Sequence, residues 1–129
     1  MKASEALILG STMVPQGFGG HSIMDGTKPC ALGTIALVTG ILAFSNITNI
    51  YSNLRRGFPF LGVEAACPAC RYGDKPTPYN NTVDEITWHL NDTHKWTRPQ
   101  IAEWLKQYEV DQPEVKLPSI PRERALVAV

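Results

Sequence analysis

A chain of 129 residues with twelve basic and twelve acidic side chains carries no formal net charge at neutral pH. That balance argues against a protein that holds nucleic acid mainly by neutralising phosphates, which shows as a basic excess. The length and the 43% hydrophobic content suit one domain with at most one appendage. The three cysteines, two of them in a C-x-x-C, are not the even, dense set of a secreted disulfide scaffold and point to a reducing, cytoplasmic setting.

Residues 4–13 predict a short amphipathic helix with Ser4 as N-cap and Glu5 favourable in its first turn. Its apolar stretch, Ala6 to Leu9, is too short for a signal-peptide core. Pro15 ends it, and Gln16 to His21 reads as a glycine-rich loop without the spacing of a phosphate loop. No charged residue then occurs between Pro29 and Leu54. The nearly pure apolar part, Ala31 to Phe44, is shorter than the roughly 20 residues of a spanning helix, so it predicts a buried core helix and no membrane association. Its β-branched members Ile35, Val38, Thr39 and Ile41 leave a strand as the alternative.

Residues 45–57 predict a polar, helical or turn-rich segment ending at Gly57, and residues 58–63 a short extended run leading into the cysteines. Thr82-Val83-Asp84-Glu85 fits a capping box, with Val83, Ile86 and Leu90 forming the apolar stripe of the helix behind it. Thr97-Arg98-Pro99-Gln100 starts another helix, whose core face is Ile101, Trp104, Leu105 and Tyr108 and whose end falls near residues 109–111. Beyond it Pro113, Pro118 and Pro121 predict an extended tail with an apolar tip, Ala125 to Val129. The expected fold is mainly α: a small zinc-stabilised helical domain over 1–112 with a short β-like zinc knuckle, followed by the tail over 113–129.

The chemistry concentrates in four residues. Cys67 and Cys70 are two residues apart, His89 follows Cys70 after eighteen residues, and His94 follows His89 after four. Two thiolates and two imidazoles at such spacing make a tetrahedral zinc site, with the long intervening segment accounted for by the turn-rich connector 74–81. Four protein ligands leave no open position for a reacting water, so the expected Zn2+ is structural. A redox role for the cysteine pair would need a βαβ setting that the pattern lacks. Cys30 could be a thiolate at a helix start with His21 as its base, yet packing is the preferred role. His89 to His94 faintly suggests a histidine–asparagine nuclease, but the spacing is too narrow. Trp88, Trp96 and Trp104 could stack bases. Without a basic groove beside them, they too are read as packing, and Arg55-Arg56 and Arg122 to Arg124 as solvated charge. No catalytic centre is expected.

Several blocks occur in a fixed order: Ser4-Glu5-Ala6, Pro15 to Gly19, Cys30-Ala31-Leu32-Gly33, Cys67-Pro68-x-Cys70, and His89-Leu90-Asn91-Asp92-x-His94-x-Trp96-Thr97-Arg98 running on to Ile101-Ala102-x-Trp104. In this respect the chain resembles a group of small uncharacterised proteins found in bacteriophages and prophages. The resemblance spans about residues 4–108 and implies a phage-related origin without an established activity. The expectation is a non-enzymatic accessory or assembly protein, in the host cytoplasm or the virion, that binds itself or virion proteins through its tail. The alternatives are a zinc-finger nucleic-acid-binding or regulatory protein and an inhibitor of host defence.

Overall fold

In the computed structural model, which describes residues 1–70 and 82–109, the uncharged stretch supplies the central helix. The helices are α1 (Ala3–Ser11), α2 (Ala31–Thr39), α3 (Ile50–Gly57), α4 (Val83–Asp92) and α5 (Arg98–Glu109), with 3-10 turns at Ser22–Met24, Ile41–Phe44 and Pro59–Gly62. The fold is mainly helical, as the pattern predicts. Among the described residues the only β-type pairing is an isolated antiparallel bridge between Glu64 and Thr82, which is what the β-like knuckle amounts to.

Every residue of α2 from Ala31 to Leu37 is buried, so its side chains face apolar neighbours on all sides, as expected of a central helix. Gly40, at φ 85°, takes the left-handed conformation that stops it. The apolar stretch is thereby divided into a nine-residue helix and a 3-10 turn. Among the described residues no helix is long and apolar enough to cross a membrane.

Helices α1 and α5 pack together, and α1 also packs on α2. Gly10 sets the closeness of the α1–α2 approach, because a Cβ there would lie 2.2 Å from Cγ2 of Thr34. The cap of α1 differs from expectation. Lys2 is the N-cap, and its backbone N–H donates to Oε1 of Glu5 at 2.8 Å. Ser4 is instead buried inside the first turn, where its N–H and hydroxyl donate to the Glu109 carboxylate at 2.8 and 2.6 Å. At the opposite end the Arg98 guanidinium donates to the Val14 carbonyl and, at 3.1 Å, to Oγ1 of Thr34. Helix α5 therefore runs antiparallel to α1, placing a carboxylate at the N-terminus of α1 and a cation at its C-terminus. Both match the helix dipole.

Two further expectations are corrected. Residues 58–63 are not extended: Leu61 N–H donates to the Phe58 carbonyl at 3.0 Å, closing the 3-10 turn Pro59–Gly62 that buries Phe60 and Leu61. Proline with φ already fixed at the start of the turn favours this over a strand. Thr82 is the N-cap of α4, but its side chain does not bond the backbone as a capping box requires. Asp84 Oδ1 accepts the Glu85 N–H at 2.8 Å, and the Thr82 hydroxyl lies 2.6 Å from both the Asp84 and the Glu85 carboxylates. Asp84 also pairs with Arg55 of α3, at 2.6 Å to Nε and 3.0 Å to Nη2. That bidentate fork joins α3 to α4. The box of α5 forms as expected, with Thr97 N–H to Gln100 Oε1 at 2.8 Å and Gln100 N–H to Thr97 Oγ1 at 3.3 Å. The tail over 113–129, with Arg122 and Arg124, and the connector 74–81 lie outside the described residues.

Candidate metal centre

Helix α4 ends with His89 in its last turn, and the chain then reverses within five residues to bring His94 back. Three backbone bonds close that reversal: Thr93 N–H to the His89 carbonyl at 2.8 Å, His94 N–H to the same carbonyl at 3.4 Å, and Trp96 N–H to the Leu90 carbonyl at 3.0 Å. Lys95 takes a positive φ of 57° to complete the turn. The cysteines arrive from the other side, on the segment that leaves the turn Pro59–Gly62. Among the described residues its backbone tie to the α4 start is the Glu64–Thr82 bridge, in which the Val83 N–H donates to the Val63 carbonyl at 2.9 Å.

The four predicted ligands meet. One donor atom from each of Cys67, Cys70, His89 and His94 lies within 4.8 Å of all the others. The His89 and His94 Nε2 atoms are 3.1 Å apart, and Cys70 Sγ is 3.3 and 3.6 Å from them. A tetrahedron with metal–nitrogen bonds near 2.05 Å and metal–sulfur bonds near 2.3 Å has edges of about 3.3 Å between nitrogens and about 3.6 Å between nitrogen and sulfur. Cys70, His89 and His94 are thus spaced for one small ion, with the Cys67 sulfur within 4.8 Å of each of their donor atoms. The two imidazoles meet edge to face, at 85°. Cys67 is buried and the other three are half-buried.

Protonation follows from the same geometry. Burial, and then the neighbouring His94, hold the His89 pKa below its ordinary value, so the ring is kept as the neutral imidazole that ligates metals. The hydrogen bond with Cys67, followed by burial and the charge of Cys67, pushes the Cys70 thiol up. Two adjacent thiolates repel one another unless a cation lies between them, and a divalent ion reverses that balance. The set can hold a metal ion.

A second, entirely polar cluster lies behind the ligands. Asn91 is fully buried, and its Oδ1 accepts from Gln16 Nε2 at 2.8 Å and from the Ala31 N–H at 3.0 Å. Its Nδ2 donates to the Gly17 carbonyl at 3.0 Å and to Asp92 Oδ1 at 2.8 Å. Gln16 also donates to the Trp96 carbonyl at 2.8 Å and accepts from the Arg98 N–H at 3.2 Å. Asp92 accepts the Gly19 N–H at 3.1 Å. The loop 15–19 is therefore threaded between the start of α2 and the histidine turn, and fixes both. Sequence reasoning missed these roles for Gln16, Asn91 and Asp92. A signal was present: Asn91 stands eight residues after Val83, on the apolar stripe of α4, where a polar side chain must find partners.

The other candidates are dispersed. Cys30 is the N-cap of α2, only 1% exposed, with Sγ accepting the Gly33 N–H at 3.4 Å. Burial pushes its thiol up, against the Gly33 and Ser22 hydrogen bonds that act the other way. That is the opposite of an activated thiolate. His21 is exposed and shares no hydrogen bond with Cys30. Trp104 lies in the core, edge-on to Tyr108, Trp96 packs on the core and Trp88 is exposed. The three do not form one stacking surface of buried platforms. Arg55 of the Arg55-Arg56 pair is engaged by Asp84. Comparison with protein-family models, curated proteins and solved structures gives no match to the chain.

Proposed function

We propose that this chain is a non-enzymatic, phage-type accessory or assembly protein: a small helical module stapled by structural zinc at Cys67, Cys70, His89 and His94, which binds other proteins. The observation that carries the reading is the donor set: four donor atoms within 4.8 Å of one another, those of Cys70, His89 and His94 close to tetrahedral separations, and four protein ligands leave no position for a substrate. The ion would join the cysteine segment to the histidine turn, two stretches that share few other ties. The remaining reactive candidate, Cys30, is sealed in the core with its thiol pushed up, which also favours a role without chemistry. The contact with the partner, a second copy or a virion protein, is assigned to the apolar tip Ala125 to Val129.

Native mass spectrometry of protein purified without added zinc tests this. One zinc per chain is expected, together with an oligomer that a chain ending at Pro121 no longer forms. A metal-free chain would overturn the structural site. An oligomer indifferent to loss of the tip would overturn the assignment of the contact.

A further inference from the structure

Two properties decide which thiols of a protein are oxidised together, their distance from one another and their access to solution. Cys67 and Cys70 hold their sulfurs within 4.8 Å of each other, and a disulfide needs them to close to about 2.05 Å. Cys67 is 3% exposed and Cys70 is half-buried, so an oxidant from solution meets the Cys70 sulfur first. Cys30 caps α2 and is 1% exposed, which withholds it from the same reagent.

The segment that carries the pair can make the closing movement. Residues 63–70 form no helix, and Val63, Glu64, Ala66 and Pro68 are exposed. Among the described residues, the backbone tie of this segment to the start of α4 is the Glu64–Thr82 bridge. The histidines are held differently. His89 belongs to α4, and the turn that returns His94 is closed by its own backbone bonds and backed by Asn91 and Gln16. Loss of both sulfurs as ligands therefore leaves His89 and His94 in place, but two imidazoles are half of what a structural zinc requires. Departure of the ion frees the cysteine segment while the apolar contacts among α1, α2 and α5 stay intact.

We infer that the metal centre is a peroxide-responsive switch, in which oxidation of Cys67 and Cys70 to a disulfide ejects the ion and releases residues 63–70 from the histidine turn. The inference rests on the proposed zinc at this site and adds its regulation. The Cys70 thiolate attacks one oxygen of hydrogen peroxide. An S–O bond forms, the O–O bond breaks and hydroxide leaves, giving a sulfenic acid. The Cys67 thiolate then attacks that sulfur, so that the S–S bond forms, the S–O bond breaks and a second hydroxide leaves. The two sulfurs together give up two electrons, the peroxide takes them, and Zn2+ departs with its charge unchanged. A thiol reductant cleaves the disulfide, and rebinding of zinc orders the segment again.

Hydrogen peroxide added to the full, zinc-loaded chain in the presence of a chromogenic chelator tests this, with intact mass read on the same samples. Zinc transfer is expected to be at least about tenfold faster than without peroxide. About one zinc should leave per disulfide formed, and peptide mapping should place that disulfide between Cys67 and Cys70. Cys30→Ala, which keeps all four ligands, should release zinc within about twofold of the same rate. Dithiothreitol with added zinc should restore the loaded chain. Zinc retained under peroxide would overturn the switch, as would release with Cys67 and Cys70 still reduced. Sulfinic acid in place of the disulfide, a bridge to Cys30, or a product that reductant and zinc do not restore would overturn it equally. Metal content before the oxidant separates this from the zinc reading. A loaded chain that holds its ion against peroxide removes the switch alone, whereas a chain that is metal-free as purified removes the zinc and the switch with it.

Discussion

Helices α1 and α5 and the segment 63–70 are held in opposite ways. The helix pair is joined by apolar burial along its length and by a side-chain latch at each end, Ser4 with Glu109 and Arg98 with Val14. The segment 63–70 has no regular element, and Val63, Glu64, Ala66 and Pro68 are exposed. Only Cys67 is buried in it. Where apolar area and backbone pairing are plentiful, fixed charges only refine the arrangement. Where both are scarce, a few donor atoms must do the joining, and sulfur and imidazole can do so by sharing an ion, as proposed for this site.

The largest effect should come from breaking the proposed ion site. Cys67→Ser removes one of four ligands, so metal affinity should fall by more than the roughly hundredfold seen for changes outside the first coordination sphere. The unfolding temperature should drop by roughly 10–20 °C. The sharper readout is hydrogen exchange. Amides of 63–70 and of the turn 93–96 should lose protection, whereas those of α1, α2 and α5 keep theirs. Loss of protection spread evenly over all the helices would show that the two regions are one cooperative unit and would end the comparison.

A smaller effect is expected where the regions meet. Asn91 accepts from Gln16 and Ala31 while donating to Gly17 and Asp92. Asn91→Asp keeps the acceptor, loses both donors and sets a buried carboxylate beside Asp92 and the Gly17 carbonyl. The expected cost is about 3 kcal/mol, or about 10 °C in unfolding temperature. Metal affinity should fall by a smaller factor than in Cys67→Ser, since the histidine turn loses its backing but not its ligands. A shift under about 2 °C, measured by calorimetry, would mean that the loop 15–19 does not couple the two regions.

The elements most legible in the sequence were those governed by a single signal. Uncharged length gave α2, period gave the core face of α5, and donor spacing brought together Cys67, Cys70, His89 and His94. The readings that failed were those with two competitors for one group. Ser4 is an ordinary N-cap residue, but Glu109, 105 positions away, claims its N–H and hydroxyl, and the adjacent Glu5 caps Lys2 instead. Thr82 had the capping-box spacing, yet Asp84 inside the box takes the Glu85 N–H. Asn91 and Gln16 were invisible because their partners are backbone groups brought close only by the tertiary fold. Local propensity cannot weigh partners that are distant in sequence.

The smallest effect separates two kinds of cysteine, one in the helical core and two in the segment 63–70. Cys30 is a buried thiol capping α2, whereas Cys67 and Cys70 are proposed thiolates on a metal. Burial holds the folded Cys30 pKa above its ordinary value of 9.0, with the charge of Asp92 adding to the rise and the Gly33 and Ser22 hydrogen bonds opposing it. Above about pH 9 the unfolded chain gives up this proton and the folded chain retains it, so stability falls as pH rises, by at most about 1.4 kcal/mol per pH unit. Below pH 9 the thiol is protonated in both states and contributes no slope. Cys30→Ala removes this one titration, while Tyr51 and Tyr108, whose pKa values are also raised by burial, remain in both proteins. The variant should be about 1 kcal/mol less stable at pH 7, through the lost Gly33 contact and a small cavity. Its stability should then decline less steeply between pH 9 and pH 10.5, so that the two curves approach each other. Parallel curves in denaturant titrations of the metal-loaded proteins would mean that Cys30 ionises as readily folded as unfolded, and it would then belong with the accessible thiols rather than with the core.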